Sequence, residues 1–132
     1  MILLDANVIL DIWDFDPAWH AWSNGRLRKL SLLHELAINP IVYAEISTRF
    51  TTLAALDRRL EELGLLVLNI PRDAAFLAGK AFVQYRRIGG QKNNVLADFF
   101  IGAHATVMRC PLLTRDTRRY AAYFPTVRLI AP

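Results

Sequence analysis

The chain has 132 residues, of which 54% are hydrophobic and 21% are charged. This composition excludes an intrinsically disordered chain, and the six glycines and six prolines exclude a linker or a fibrous protein. The length predicts one domain spanning residues 1–132. Sixteen Lys and Arg against twelve Asp and Glu give a net charge of +4, which permits a nucleic-acid partner without establishing one.

Cysteine usage and hydropathy bear on the cellular compartment. The single cysteine, Cys110, cannot form an internal disulfide, so we expect a reducing compartment. No apolar run approaches the ~20 residues of a membrane span, and the first residues lack the basic segment of a signal peptide. We therefore expect a soluble cytoplasmic protein with no membrane association.

Short apolar runs alternate with helical segments in chain order. The predicted strands cover residues 2–4, 36–38, 65–70, 112–114 and 127–130. The predicted helices cover residues 7–13, 17–35, 40–50, 51 or 52 to 63, 71–87, 94–109 and 117–123, with Ser23-Asn24-Gly25 a candidate break in the second. This alternation predicts an α/β domain with a parallel sheet of about five strands and helices on both faces.

Several boundaries and burial patterns have a local reason. Asn39 before Pro40 is typical of a helix start, because asparagine caps helices and proline suits the first helical position. Gly64 indicates a left-handed helix end. The run over residues 65–70 is typical of a strand covered on both faces, and the segment 94–109 is typical of a central, buried helix.

Two aspartates lie where predicted strands end. Asp5 follows the first strand and Asp116 follows the fourth. Either one would also suit the N-cap of the next helix. The carboxyl ends of parallel strands share one edge of the sheet, and ligands bind there at the point where the strand order reverses. If the first and fourth strands are neighbours, Asp5 and Asp116 face the same crevice.

Two further acids lie in apolar helical segments. Glu45 is too deep in its helix for a capping box, and its alternative role is an ion pair with Arg49 worth ~0.2–0.5 kcal/mol. Asp98 shares its side of the helix with Gly102 and Ala105, so we expect its carboxylate to point inward. Its alternative role is a buried pair with an arginine or a cap to a neighbouring loop, because an unpartnered buried carboxylate is unfavourable.

The remaining acids occupy polar or loop contexts, where we expect solvated or helix-end roles. They are Asp11, Asp14, Asp16, Glu35, Asp57, Glu61, Glu62 and Asp73.

Four carboxylates in one pocket would need a counter-charge. Two of them ~5 Å apart at an effective dielectric of ~20 repel by roughly 3 kcal/mol. The summed repulsion among all four would be comparable to the ~5–15 kcal/mol stability of a domain. Such a cluster takes up protons or holds a cation, and an all-oxygen site suits Mg²⁺ or Mn²⁺. Zinc would prefer Cys or His. We assign structural or surface roles to His20, His34 and His104, and a core position to Cys110.

Four short motifs carry these acids in order along the chain. They are Ile2-Leu3-Leu4-Asp5-Ala6-Asn7, Tyr43-Ala44-Glu45, Leu96-Ala97-Asp98 and Leu113-Thr114-Arg115-Asp116. In this order and spacing they resemble the PIN-domain nucleases, and most of all the VapC toxins of bacterial toxin–antitoxin pairs. The resemblance covers essentially the whole chain and implies a doubly wound parallel sheet with Mg²⁺- or Mn²⁺-dependent hydrolysis of RNA phosphodiester bonds.

The resemblance also implies residue roles and partners. The catalytic and metal-binding acids would be Asp5, Glu45, Asp98 and Asp116. Asn7 would support Asp5, and the Thr114 hydroxyl would lie beside Asp116. Ala6 departs from the family, since relatives often carry Ser or Thr there, and the missing hydroxyl puts a local hydrogen bond and full cleavage activity in doubt. The implied partners are RNA, an antitoxin protein and a second copy of the chain.

Basic and aromatic residues are candidates for binding these partners. Contacts to RNA phosphates are predicted for Arg115, Arg118 and Arg119 around Asp116, and for Arg86, Arg87 and Lys92 beside Gly89-Gly90. Each basic group is otherwise a solvated surface. An aromatic group near the start of the chain would serve either core packing or a groove for a partner peptide, and it consists of Trp13, Phe15, Trp19 and Trp22.

Other functions remain open at this point. A housekeeping PIN nuclease in RNA processing and an inactive RNA-binding PIN domain would carry the same acids. A receiver domain, also small, α/β and Mg²⁺-binding, is disfavoured because Ala6 follows Asp5, Pro71-Arg72 ends the third strand, and no Lys follows Val127.

Overall fold

The computed structural model describes residues 1–92 and 95–132. These residues form five strands and seven helices. The strands are β1 (Ile2–Leu4), β2 (Leu36–Ile38), β3 (Leu65–Val67), β4 (Leu112–Leu113) and β5 (Leu129–Ile130). The helices are α1 (Ala6–Trp13), α2 (His20–Ser31), α3 (Pro40–Ser47), α4 (Leu53–Glu62), α5 (Arg72–Arg87), α6 (Leu96–Met108) and α7 (Arg118–Tyr123).

The strands form one parallel sheet in the order β3-β2-β1-β4-β5. The chain builds outward from β1 through β2 and β3, and then returns to the other side of β1 to add β4 and β5. The strand order therefore reverses beside β1, as in a doubly wound sheet. The predicted α/β class and five-stranded parallel sheet are confirmed, and the first and fourth strands are neighbours.

The core lies on the three inner strands and the helices that cover them. All residues of β1, β2 and β4 are buried, which requires apolar side chains on both faces of the sheet. Helix α6 packs against α3, α5 and α7. Its Gly102 lies so close to Phe124 that an added Cβ would overlap the aromatic ring. The small-residue side of α6 therefore packs closely against a neighbouring element, as predicted.

Two predicted helix ends follow from their capping residues. The Asn39 carboxamide oxygen accepts hydrogen bonds from the backbone N–H groups of Ile41 and Val42, each at 3.0 Å. Gly64 has φ +69°, the left-handed conformation predicted for it. The predicted start of α6 at Asn94 lies outside the described residues.

The third predicted strand differs from its expectation. The strand ends at Val67 rather than residue 70, and Leu66 and Val67 are 45% and 46% exposed. The expectation of cover on both faces is wrong, because β3 lies at the edge of the sheet, outside the fully buried inner strands.

Helix α2 also differs from its expectation. It is shorter than residues 17–35, and it continues through Ser23-Asn24-Gly25 without a break. Ser23 is buried and its hydroxyl donates to Asp11 Oδ2 at 2.8 Å, so this residue is a packing contact of the helix.

Among the described residues, no helix combines the length and apolar character that crossing a bilayer requires.

Candidate active site

Asp5 lies at the carboxyl end of β1, where the strand order reverses. It is the N-cap residue of α1, yet its side chain makes no capping hydrogen bond. Its Oδ2 atom instead accepts hydrogen bonds from Tyr120 Oη at 2.8 Å, Thr114 Oγ1 at 2.9 Å and Asn7 Nδ2 at 3.3 Å. The capping alternative therefore does not describe the Asp5 carboxylate.

The environment of Asp5 disfavours its negative charge. Asp5 is only 5% exposed, and this burial raises its pKa from 3.8 to about 6. The hydrogen bonds from Tyr120 and Thr114 oppose the rise, whereas the negative charge of Asp98 adds to it. A cation beside Asp5 would restore its ionised form.

The two predicted supporting residues both contact Asp5. Thr114 is buried at the end of β4, and its hydroxyl oxygen also accepts from the Asp116 backbone N–H at 3.1 Å. Asn7 donates to the Thr114 hydroxyl at 3.3 Å and accepts from the Arg115 backbone N–H at 3.4 Å. These bonds join the ends of β1 and β4 into one polar edge.

Glu45 lies on α3 and does not form the ion pair considered for it. Arg49 instead binds Asp14, with Nη2 at 2.7 Å from Oδ2 and Nε at 3.0 Å from Oδ1. Although Glu45 is exposed as a whole residue, reduced hydration of its carboxyl group raises its pKa from 4.5 to about 7. The negative charges of Asp5 and Asp98 contribute to this rise.

Asp98 lies in the first turn of α6 and is partly buried. Its Oδ2 atom forms an ion pair with Arg119 Nη1 on α7, so the arginine-pair alternative is realised. Burial raises the pKa of Asp98, the Arg119 hydrogen bond and charge oppose the rise, and the charge of Asp116 adds to it. Asp98 therefore interacts with Asp5, Glu45 and Asp116, while the charge of Arg119 partly neutralises it.

Asp116 is exposed after β4 and begins the turn into α7. Its Oδ1 atom accepts from the backbone N–H of Arg118 at 3.3 Å, but the N-cap residue of α7 is Thr117, so the N-cap alternative is not realised. The residue borders a groove of about 320 Å³, which is lined by Lys92, Asp116, Arg118, Arg119, Ala122 and Tyr123.

The four predicted acids form one electrostatic group at this edge of the sheet. Glu45 interacts with Asp5 and Asp98, Asp5 interacts with Asp98, and Asp98 interacts with Asp116. Within residues 1–92 and 95–132, however, no three His, Cys, Asp or Glu side chains converge closely enough to hold an ion as they stand. Arg119 supplies positive charge at Asp98 instead.

The donor chemistry of the group suits a hard divalent ion. Its charged ligand atoms are carboxylate oxygens, which Mg²⁺ and Mn²⁺ prefer. All three side-chain hydrogen bonds to Asp5 end on Oδ2, so none of the described side chains donates to Oδ1. His104 is buried against Asn39, with its Nδ1 atom 3.3 Å from Asn39 Nδ2, and it has a structural position as expected.

Tyr120 is a site residue that the sequence interpretation missed. It is buried on α7 and donates to Asp5, and its own pKa is raised well above its ordinary value by burial and by the charges of Asp5, Asp98 and Glu45. Its position four residues after Asp116 was the signal available in the sequence.

Asp11 corrects an expectation. The expectation of a solvated or helix-end role is wrong for this residue, which is only 3% exposed. Its Oδ2 atom accepts from Arg115 Nε at 2.9 Å and from the Ser23 hydroxyl at 2.8 Å. The packing of α1 on α2 buries this carboxylate, and the two donors compensate for its reduced hydration.

The predicted RNA-contact residues fall into different environments. Arg115 binds Asp11 and lies 5.7 Å from the Trp19 ring centre, so the fold holds its side chain. Arg86 lies 5.1 Å from the Phe82 ring centre and donates to the Gly90 carbonyl. Arg119 binds Asp98, Arg87 is exposed, and Lys92 and Arg118 line the groove. All six RNA contacts stay predictions.

The aromatic group divides between packing and exposure. Trp13 packs edge-to-face on Phe50 at 5.2 Å, and both Trp13 and Trp22 pack against the core. Phe15 is 74% exposed and stacks on His20 at 4.7 Å. Core packing therefore accounts for part of the group.

Comparison with known families identifies the fold. The model of the PIN domain family matches residues 2–125. The chain belongs to the PIN domain family. The resemblance seen in the four motifs is thus confirmed. A sequence search of curated proteins finds no significant match.

Solved structures share the fold over the full length of this PIN domain. VapBC2 from Rickettsia felis, bound to a promoter DNA fragment, is 20% identical with a TM-score of 0.74, covering 100% of this chain and 99% of that one. A toxin–antitoxin complex from Klebsiella pneumoniae is 22% identical with a TM-score of 0.70, covering 100% and 98%. FitAcB from Neisseria gonorrhoeae is 24% identical with a TM-score of 0.71, covering 100% and 98%.

Proposed function

We propose that this PIN domain is a divalent-metal-dependent endoribonuclease that hydrolyses RNA phosphodiester bonds and acts as the toxin of a toxin–antitoxin pair. The observation that carries the proposal is the electrostatic group of Asp5, Glu45 and Asp98, drawn from β1, α3 and α6 to the edge where the strand order reverses. Asp116 joins this group through Asp98. An excess of negative charge at this position is the chemistry that a hard cation would stabilise.

The acids would divide the work of hydrolysis. Asp5, Asp98 and Asp116 would ligate Mg²⁺ or Mn²⁺, and Glu45 would ligate the ion or hold its water. Such an ion activates water and stabilises the charge on the departing oxygen. Glu45, whose carboxyl group interacts with those of Asp5 and Asp98, is the candidate acceptor of a proton from the attacking water.

Neighbouring polar residues would orient the first of these ligands. Tyr120, Thr114 and Asn7 all donate to Asp5 Oδ2, which holds the carboxylate in one orientation. A ligand whose direction is set before binding loses less conformational freedom when the ion arrives.

The groove beside Asp116 supports an RNA substrate. Lys92 and Arg118 line it together with this acid, so cationic side chains border the acidic group. Phosphate oxygens would contact these cations while a scissile bond lies over the acids. Any preference for particular bases at the cleavage site would depend on contacts other than these contacts to phosphate.

Cleavage of total RNA by Asp98→Asn tests the enzymatic proposal. The wild-type chain is expected to cut RNA with Mg²⁺ or Mn²⁺ and to stop in chelator. Asp98→Asn is expected to lower the rate by at least about 100-fold, since it removes a charged ligand of the ion. Asp14→Asn is the matched control, because Asp14 lies in an exposed pair with Arg49. Activity that persists in chelator or in Asp98→Asn would refute the proposal.

The proposal of an antitoxin partner is supported by one of the solved structures that share this fold. The Klebsiella pneumoniae structure is a toxin–antitoxin complex with the same fold. Co-expression with the product of an adjacent small gene should give a stable complex, and light scattering should show two copies of the chain. A chain that stays alone would count against the toxin assignment. Growth arrest on expression separates a toxin from a housekeeping PIN nuclease.

An inactive RNA-binding domain is the second candidate, and one contact favours it. The Asp98 carboxylate is engaged by Arg119, and no three potential metal ligands among the described residues are grouped around one point. RNA binding without divalent-dependent cleavage in the assay above would support this candidate over the nuclease.

A further inference from the structure

Helix α7 touches two acids of the site through consecutive residues. Arg119 forms an ion pair with Asp98 on α6, and Tyr120 donates to Asp5 at the end of β1. One short helix thus contacts acids that are far apart in the sequence. The proposed hydrolysis gives no role to the ion pair between Arg119 and Asp98.

Arg119 forms an ion pair with the acidic group in this structure. Among the described residues, no other Lys, Arg or His forms an ion pair with Asp5, Glu45, Asp98 or Asp116. Arg118 precedes Arg119 and lines the same groove, but it reaches Asp116 only through its backbone N–H. The distinction between these adjacent arginines is therefore the contact with Asp98.

The Arg119–Asp98 ion pair is less exposed to solvent than an ordinary surface ion pair of this protein. The side chains of Arg119 and Asp98 are 24% and 28% exposed, whereas those of the Arg49–Asp14 pair are 44% and 42% exposed. Partly desolvated charge pairs interact more strongly than exposed ones. Arg119 and a divalent ion would both need the Asp98 carboxylate.

We propose that Arg119 is an internal counter-ion that occupies Asp98 in the metal-free protein and is displaced from this carboxylate when a divalent ion binds. This inference rests on the metal-dependent function proposed above. The displaced guanidinium remains in the groove with Lys92 and Arg118, where it contacts a substrate phosphate. Metal binding thereby converts a resting ion pair into a cation for the substrate, and the energy of breaking the pair sets the metal affinity.

Mn²⁺ affinity, measured by titration calorimetry without RNA, tests this competition. Arg119→Gln is expected to bind Mn²⁺ about 10-fold more tightly than the wild type, within the ~5–150-fold range of typical coupling between two binding events. Arg118→Gln is the matched control, because it removes the same charge from the adjacent position without an Asp98 contact. It is expected to change the affinity by less than about 2-fold, since exposed charges are screened.

A second variant and a second readout guard against a folding effect. Arg119→Lys keeps the charge but lacks the planar donor pair of arginine, so it should bind Mn²⁺ a few-fold more tightly than the wild type. At saturating Mn²⁺, Arg119→Gln should also cleave RNA about 10-fold more slowly, because the substrate phosphate then lacks the guanidinium. Tighter metal binding with slower cleavage is a combination that simple destabilisation does not produce.

The outcomes separate this inference from the proposed function. Wild-type Mn²⁺ binding and cleavage, with Arg119→Gln no tighter than Arg118→Gln, would overturn the counter-ion role and leave the nuclease intact. Absence of Mn²⁺ binding by every folded variant would overturn both. Equal tightening by Arg118→Gln and Arg119→Gln would also overturn the counter-ion role, because it would show a general field effect.

Discussion

The Asp5 carboxylate is held by residues from three parts of the chain. Asn7 lies two residues away, whereas Thr114 follows β4 and Tyr120 lies on α7, both after the third crossover. The sequence identified Asp5, Asn7 and Thr114 because each belongs to a recognisable motif. It did not identify Tyr120, since closeness to Asp116 in the sequence does not show that the tyrosine hydroxyl meets a carboxylate.

The hydrogen bond from Tyr120 can be tested by Tyr120→Phe. The change leaves Asp5 Oδ2 without one donor while preserving the aromatic ring. We expect the free energy of unfolding at about pH 8 in chelator to fall by about 1–2 kcal/mol. Tyr123→Phe is the control, because its hydroxyl makes no hydrogen bond among the described residues and should change stability by less than about 0.5 kcal/mol. Equal effects in urea unfolding would contradict the role of the Tyr120 bond.

The raised pKa of Asp5 predicts a pH dependence of stability without metal. Its pKa is about 6 in the folded chain against 3.8 for the ordinary group, so the folded state binds this proton more tightly. The stabilisation that this bound proton contributes is fully present below about pH 4 and is lost as the pH rises through about 6. Relative to Asp5→Asn, the wild type should lose up to about 3 kcal/mol between about pH 4 and pH 8 in chelator.

Urea unfolding of both proteins across this range is the measurement. Glu45, with its pKa raised to about 7, should shift the wild-type profile in the same direction. Parallel pH profiles for the wild type and Asp5→Asn would show that burial does not disfavour the Asp5 charge.

At the scale of elements, the close approach of α6 to Phe124 depends on one glycine. An added Cβ at Gly102 would overlap the Phe124 ring, whereas a Cβ at Gly79 on α5 would meet no atom within 4 Å. Both glycines lie inside helices. They therefore separate the effect of packing from the effect of helix propensity.

Alanine at these two positions should have opposite effects. Gly102→Ala is expected to lower the free energy of unfolding by about 1–3 kcal/mol through overpacking. Gly79→Ala is expected to raise it by about 0.5–1 kcal/mol, because alanine favours helix and restricts the unfolded chain. Denaturant unfolding measures both. A stabilised Gly102→Ala would show that Phe124 has room to move.

The elements also show where local pattern was insufficient. The apolar run over residues 65–70 correctly predicted a strand that begins at Leu65, but its burial depended on the position of the strand in the sheet, and β3 lies at the edge. The Asn39 cap and Gly64 end were predicted correctly because they depend on backbone chemistry within a few residues.

At the scale of the molecule, the position of the basic residues predicts how RNA binding responds to salt. Lys92 and Arg118 line the groove beside Asp116. Arg28 and Lys29 lie in the last turn of α2, which leads into β2 and so belongs to the opposite, amino edge of the sheet. The two pairs carry equal charge at opposite ends of the parallel strands.

Single-stranded RNA binding in chelator should distinguish the pairs. The double change Lys92→Gln with Arg118→Gln should reduce the slope of log affinity against log salt by about 1.4, or ~0.7 for each phosphate that is no longer neutralised. The control, Arg28→Gln with Lys29→Gln, removes the same charge and should leave the slope nearly unchanged. Equal slopes for the two double variants would place the RNA elsewhere on the surface.

Local periodicity, capping and residue order were enough to predict the α/β class, most strand and helix positions, and the family motifs. The partners of the acids follow from the assembled fold: Arg119 for Asp98, Tyr120 for Asp5, Arg49 for Asp14, and Arg115 for Asp11. Several arginines lie within reach of several acids along the chain. Which pairs form depends on the parallel order of β1 and β4 and on where α7 packs, and these are properties of the assembled fold.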